Sequence, residues 1–434
     1  MMRLLMTLAV LVLIVQGTSM TSAFAAAYSP DLRLLREAPQ LEVIGQDVGK
    51  GNVIGVSTFF EASDFESAAH YAQKIDLFVK TLQEQQTDAG QSWLRPGQTV
   101  VVFPEDVGLW LTALGEGDLT RTKPIMGLPT SLSAVLKYGF KYQKASLSMA
   151  TLKGVLSNLN RDSAMQKFTD WFYANVLVAK ADQMAAAYDQ AFSTAAAKYH
   201  VTIIAGSIPL PDAFVVTDTL GKTHLRSRAG GKIYGTLVAY DDQGRIIQLT
   251  KKVHVPREEG FAQDAPLANL KPIATSTAVG SVGALICADS WFKDAFASMA
   301  GARLVVVPEY SESAGSMSGA WAGYSLATDN HRLTATEARQ FAGIEDSAKY
   351  TRDASGSFAT GALSEHEALI EYTAPFWAPQ FNIRYSMIVP NRTQFLDLGS
   401  DNGLIVTAPG LAQPLQRVAP VEARTTFVNV YLAD

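Results

Sequence analysis

The sequence predicts a mixed α/β fold. Apolar runs of strand length alternate with helical segments near the start, and a β-hairpin occupies the middle of the chain. No internal repeat or low-complexity linker breaks this pattern.

The first strand is Val53–Phe59. In Asp64–Gln86, Ala68, Tyr71, Ile75, Phe78, Val79 and Leu82 recur at the spacing of one helix face. Thr99–Phe103 is a second buried strand and ends at Pro104-Glu105-Asp106. A further helix-then-strand unit is Met184–Tyr199 followed by Val201–Ala205, closing on Gly206. Ile233–Tyr240 and Arg245–Leu249 read as a hairpin across Asp241-Asp-Gln-Gly244, a strong turn signal. Val279–Ile286 and Arg303–Val307 are two more apolar strands. Between them lies a short helix, Phe292–Met299, with Gly301 near its end.

Two stretches fit the alternation poorly. About 109–183 is rich in helical pattern and in aromatics, among them Tyr138, Phe140, Tyr142, Trp171, Phe172 and Tyr173. About 311–394, within a C-terminal elaboration of about 311–434, mixes Gly, Ser and aromatics without a clean period. Both read as elaborations that shape a pocket or an interface, with ordinary peripheral packing as the alternative for any single residue.

Residues 1–27 combine a short basic start, an apolar stretch from Leu4 to Val15 and a small-residue exit at Ala23-Phe24-Ala25. That is the pattern of a secretory signal peptide. The expected protein is exported, periplasmic or secreted, with no membrane attachment after cleavage, and its folded domain spans about 40–434. A hydrophobic fraction of 48% is ample for a core. The formal charge of −5 comes without a basic stripe, which argues against nucleic acid as a partner. The six histidines include no pair at ligand spacing, so no metal is expected, and no cofactor motif appears.

One cysteine occurs in 434 residues. A lone thiol in an oxidising compartment forms no intramolecular disulfide, so Cys287 needs another reason to be there. It stands where the apolar run Val279–Ile286 ends and the next helix begins. A thiolate at such a turn faces backbone N–H groups, which lower its pKa and stabilise an oxyanion. The bland reading is a small buried hydrophobe. The segment alone leaves both open.

Two other strand ends carry complementary groups. Glu105 follows Val-Val-Phe-Pro, and Lys252 follows the hairpin. In a parallel-type sheet the C-terminal strand ends form the working edge, so the three can converge. A carboxylate that accepts the thiol proton, a thiolate that attacks a carbonyl or nitrile carbon, and an ammonium that stabilises the developing charge suffice for acyl transfer.

Together these segments resemble the nitrilase, or carbon–nitrogen hydrolase, superfamily. The likeness is carried by Val-Val-Phe-Pro-Glu105, by Lys252-Val-His254-Val255, and by Cys287-Ala-Asp289-Ser-Trp291-Phe292. Supporting matches are Val201–Gly206, Tyr234–Gly244 and Gly301–Pro308, so the resemblance spans about 53–308. It implies a four-layer αββα sandwich with Glu105 as general base, Lys252 as oxyanion stabiliser and Cys287 as the nucleophile that forms a thioester. A second glutamate often follows the lysine element, and Glu259 fits better than Glu258. Lys251 rivals Lys252 but lacks the Lys-x-His spacing. The resemblance also implies pairing into a homodimer.

Two spacings qualify the likeness. Glu105 to Lys252 is 147 positions, longer than usual for the family, and Lys252 to Cys287 is 35, an ordinary separation. Beyond Pro308 the later strands come from either Ala338–Ser357 or Tyr385–Pro409.

The function implied is an exported amidase that cleaves a linear C–N bond of a small-molecule amide through a Cys287 acyl-enzyme. Asp289 is then a structural hydrogen-bond acceptor, and Trp291 and Phe292 line the pocket or pack the core. The alternatives are an N-acyltransferase, a nitrile-cleaving enzyme, a Cys–His hydrolase using His254, and an inactive secreted binding protein. Asn391-Arg-Thr393 matches a glycosylation sequon.

Overall fold

The computed structural model describes residues 39–433, apart from 88–89, 117–121, 124–129, 131–132, 135–161, 257–258, 312–315, 320, 322–363, 397, 401 and 418–424. The signal-like segment 1–27, the middle of the stretch 109–183, Glu258 and Ala338–Ser357 lie outside the described residues.

The first half of the chain contributes β1 (Gln40–Ile44), β2 (Asn52–Ser57), α1 (Ala68–Glu84), β3 (Thr99–Val102), α2 (Asp162–Tyr199) and β4 (Thr202–Pro211). A small hairpin follows, β5 (Phe214–Thr217) with β6 (Thr223–Arg226), then the larger one, β7 (Ile233–Tyr240) with β8 (Ile246–Lys251). Next come β9 (Ile273–Ala274), β10 (Ser281–Ala284), α3 (Lys293–Ser298) and β11 (Leu304–Glu309). The chain finishes with α4 (Glu365–Tyr372), α5 (Ala374–Gln380), β12 (Tyr385–Pro390), β13 (Leu404–Thr407), β14 (Leu415–Arg417) and β15 (Thr426–Tyr431).

These strands form two large sheets. The first has the order β1-β15-β2-β3-β4-β7-β8 and the second β14-β13-β12-β11-β10-β9. Their central strands are buried along their whole length because each is covered on both faces. Alternate residues point opposite ways. In β3, Val100 and Val102 face the second sheet while Val101 faces α1 and α2. In β11, Leu304 and Val306 face the first sheet while Val305 and Val307 face α3, α4 and α5. Three stacked apolar layers thus separate helix, sheet, sheet and helix, the αββα order. At Gly55 the sheets come so close that an added Cβ would lie 2.5 Å from the Met387 sulfur.

The first sheet is mixed, yet its functional edge is coherent. β2, β3 and β4 are parallel, β7 is antiparallel to β4, and β8 is antiparallel to β7. Two reversals return β8 to the direction of β3, so Glu105 and Lys252 leave the sheet at the same edge. In the second sheet, β10, β11 and β12 are mutually parallel.

The helix expected from Met184 begins at Asp162 and runs 38 residues. Its described side chains are buried around much of the circumference, from Tyr173 through Leu177, Met184, Tyr188 and Phe192 to Tyr199. A helix covered on several sides shows no clean 3.6-residue stripe. Of the two sources considered for the later strands, Tyr385–Pro409 supplies β12 and β13, and β15 inserts between β1 and β2 of the first sheet.

Candidate active site

Glu105 sits three residues past β3, on a loop held by the bulge of β4. Ser207 Oγ accepts from the Asp106 N–H at 2.9 Å, the Ser207 N–H donates to the Pro104 carbonyl, and the Gly108 N–H donates to the Ser207 carbonyl. Gly206, with φ +74°, makes this approach feasible: a Cβ there would stand 1.8 Å from the Pro104 oxygen. Tyr188 of α2 donates to the Ala205 carbonyl at 2.8 Å and fixes the bulge from behind.

Lys252 follows β8 directly. Its N–H donates to the Gly235 carbonyl and its carbonyl accepts from the Ala265 N–H. The side chain is wholly buried, with Nζ 2.7 Å from Glu105 Oε1 and also in contact with Glu259 Oε1. Burial alone would lower the Lys252 pKa, but Glu105 and Glu259 outweigh it and hold the group well above its usual value as an ammonium. Burial raises the Glu105 carboxyl well above the ordinary range. Lys252 opposes that rise without cancelling it, and the negative charge of Glu259 adds to it. A carboxylate raised in this way is a better proton acceptor.

Cys287 leaves β10 on the second sheet and enters a 3-10 turn, Cys287–Trp291, with φ +40°. Positive φ at a non-glycine residue costs of order 1–3 kcal/mol and persists where the surroundings impose it. The residue keeps partial exposure. Its thiol is pushed well above the usual cysteine value, by burial first and then by the Glu105 charge, against the pull of Lys252. The lowering expected from backbone N–H groups is therefore reversed. Enclosure and a neighbouring carboxylate penalise the thiolate more than one ammonium favours it, and the resting group is a neutral thiol.

Asp289 ties the cysteine turn to the lysine element. Its Oδ1 accepts from the Val253 N–H at 3.0 Å, the His254 N–H at 2.8 Å and His254 Nδ1 at 3.2 Å, while Oδ2 accepts from the Ile286 N–H at 3.3 Å. His254 also approaches Asp294 through Nε2 at 3.5 Å and stacks on Phe292 with ring centroids 3.8 Å apart. Burial lowers the His254 pKa, but the bonds to Asp289 and Asp294 prevail and raise it to about 9. His254 is thus an imidazolium engaged by two carboxylates, not a base facing the thiol. Trp291 and Phe292 both sit in the core cluster beneath the second sheet.

The structure thus gathers Glu105, Lys252 and Glu259 in direct contact, and the thiol of Cys287 feels all three charges. It adds Glu309, which sequence reasoning passed over. This buried carboxylate ends β11 beside the Cys287 strand, accepts from Ser311 Oγ at 2.6 Å and Asn402 Nδ2 at 2.5 Å, and is felt by the thiol. A signal was present, since Val-Val-Pro308-Glu309 repeats the Val-Phe-Pro104-Glu105 ending of β3. Lys251 instead pairs with Asp212 at 3.6 Å, and its Nζ lies over the Tyr234 ring. Among the described residues no group of three or more His, Cys, Asp or Glu could hold a metal ion, and no helix is long and apolar enough to cross a membrane.

Residues 168–344, about two fifths of the chain, match the carbon–nitrogen hydrolase family model. No curated protein matches the sequence. Among solved structures, a double mutant of the amidase from Nesterenkonia sp. AN1 in complex with acrylamide aligns with TM-score 0.47 and 13% identity, covering 90% of this chain and 94% of that one. An amidase from Nesterenkonia sp. gives TM-score 0.45 and 13% identity over 90% and 92%. A carbon–nitrogen hydrolase from Helicobacter pylori G27 gives 0.38 and 14% over 88% and 89%.

Proposed function

We propose that the chain is a carbon–nitrogen hydrolase of the nitrilase superfamily, a reading supported by the match of residues 168–344 to that family model, and that it is an amidase cleaving the linear C–N bond of a small amide through a Cys287 thioester. The observation that carries this reading is Lys252, a fully buried ammonium held between Glu105 and Glu259 and sensed by the Cys287 thiol.

Because the thiol is neutral at rest, attack and deprotonation are coupled. Glu105 takes the Sγ proton as sulfur bonds to the amide carbon, and the carbonyl electron pair moves to oxygen. The Lys252 ammonium meets that oxyanion with a charge already in place, so little reorganisation is needed. The C–N bond then breaks, Glu105 returns its proton to the departing nitrogen, and a thioester remains. Water, deprotonated by Glu105, attacks the thioester and releases the carboxylic acid and the thiol. Glu259 keeps Lys252 charged throughout. Asp289 holds the lysine and cysteine elements in register.

The same reading has the protein exported, on the strength of the signal-like segment 1–27, and paired as a homodimer. N-terminal sequencing of the mature protein and sedimentation at micromolar concentration test those two points. The chemistry is tested by incubating wild type and Cys287→Ala with a panel of simple amides and nitriles, following released ammonia or amine and intact mass. Turnover of amides by the wild type alone, with a transient acyl adduct on Cys287, is expected. Preference for nitriles, or acyl passage only to an added amine, would replace the amidase reading by one of its relatives.

A further inference from the structure

The general base and the nucleophile stand on different sheets, Glu105 beyond β3 of the first and Cys287 beyond β10 of the second. Face-to-face sheets packed through apolar side chains have no directional contact to fix their offset, so polar ties at the working edge must supply it. Asp289 is one such tie, and it joins cysteine to lysine. A second joins the first sheet to the second at Glu105.

After β12 the chain crosses from the second sheet to the first. The Arg392 N–H donates to the Thr58 carbonyl at 2.9 Å and the Gln394 N–H to the Phe60 carbonyl at 2.9 Å, extending the line of β2. Asn391 stands at the crossing and is fully buried. Its backbone N–H donates to the Glu309 carbonyl at 2.8 Å, and its side-chain Nδ2 donates to the Glu105 carbonyl at 2.9 Å. Its Oδ1 accepts from the Thr393 N–H at 3.0 Å, from Thr393 Oγ1 at 2.6 Å and from Thr58 Oγ1 at 3.5 Å. These bonds set the amide so that its nitrogen faces Glu105.

We propose that Asn391 is a positioning residue for the general base, tying the Glu105 main chain on the first sheet to the end of the Glu309 strand on the second. This rests on the reading of Glu105 as that base. The Asn-Arg-Thr triplet serves as a buried staple here: its threonine orients the asparagine, and its asparagine spans the sheets. Neither role needs Asn391 to touch substrate. A misplacement of about 1 Å in a reacting group can cost about 100-fold in rate, so a staple at this point has kinetic consequences out of proportion to its contribution to folding.

The test is a double-mutant cycle on the thiol, independent of any amide. The rate constant for alkylation of Cys287 by iodoacetamide, followed by intact mass at fixed pH, is measured for wild type, Asn391→Ala, Glu105→Gln and the double variant, each first shown to unfold cooperatively in urea. Asn391→Ala should shift the rate in the same direction as Glu105→Gln, and should change it less than about twofold once Glu105→Gln is present, because residues acting through one group are not additive. Thr393→Val, which removes one bond to Asn391 and spares the rest, should shift the rate the same way by less. Amide turnover by Asn391→Ala should fall at least about tenfold. Fold-changes that multiply in the double variant, or an unchanged rate in both Asn391→Ala and Thr393→Val, would overturn the proposal. Absence of amide turnover in the wild type would instead strike the amidase reading, with the alkylation cycle still deciding the staple.

Discussion

Lys252 Nζ lies 2.7 Å from Glu105 Oε1, joining two residues 147 positions apart in the sequence and both removed from water. The pair unites the ends of β3 and β8, and both of its charges act on the Cys287 thiol. Glu259 closes on the other side of the ammonium, so the cation carries two carboxylates while the thiol faces an acidic surround.

Replacing Lys252 by Met should remove that balance. The buried Glu105 carboxylate and the half-buried Glu259 would then be left without their cation, and breaking a buried pair in this way costs about 3–5 kcal/mol. Turnover should fall by at least about 100-fold through loss of the oxyanion partner. Urea denaturation and kcat on a responsive amide check both. A variant of wild-type stability and rate would contradict the assigned role.

The neutral resting thiol has a signature in pH. Cys287 is raised above the ordinary cysteine value by burial and by Glu105, so its alkylation by iodoacetamide should be slow at neutral pH and rise only in the alkaline range. In Glu105→Gln the neighbouring charge is gone, and the rise should move to lower pH. A profile centred near neutrality in the wild type would show that the thiolate is the resting form.

His254 links stability to pH. Its pKa is raised from 6.5 to about 9 by Asp289 and Asp294 against burial. The stabilisation is fully present below pH 6.5, where the unfolded imidazole is also protonated, and is lost as pH rises through about 9. The shift corresponds to about 3 kcal/mol. Urea midpoints between pH 6 and 10 should fall accordingly, and Asp289→Asn should flatten the curve. A flat wild-type curve would remove the imidazolium from the account.

Gly206 supports Glu105 through the β4 bulge. In Gly206→Ala a Cβ would collide with the Pro104 carbonyl, at a φ that disfavours any side chain. The loop must shift, with a stability loss of at least about 2 kcal/mol and a drop in kcat larger than any change in KM. Unaltered kcat in a folded variant would show that the loop does not hold the base.

The sequon at Asn391 should remain unmodified. Asn391 and Thr393 are fully buried and bonded to each other, so a protein made in a eukaryotic secretory host should show no glycan at this position. Mass analysis before and after glycosidase treatment reads this directly; a glycan on folded, active protein would be incompatible with the site geometry.

Much of this fold is legible in the sequence because its central strands are continuous apolar runs ending in punctuation. Val53–Phe59, Thr99–Phe103 and Arg303–Val307 needed no tertiary information. The strands that escaped notice are of another kind. β1, Gln-Leu-Glu-Val-Ile44, is an edge strand with Leu41 and Val43 exposed, so its alternation marks no buried face. α2 is legible only from Met184 onward because it is buried on too many sides to show a stripe. β15, remote in sequence, inserts beside β2, a pairing that no local pattern encodes.

The sequence by itself singled out a carboxylate, an ammonium and a thiol that each follow a short apolar run, the groups that the proposed proton transfer, charge stabilisation and nucleophilic attack need whatever the fold. Tertiary structure alone decided their state. Enclosure between two sheets raises the Cys287 thiol where a lowering was expected, raises the Glu105 carboxyl, commits His254 to two carboxylates and brings Glu309 and Asn391 beside them. Those outcomes depend on desolvation and on charges a few ångströms apart, quantities that sequence separation does not contain.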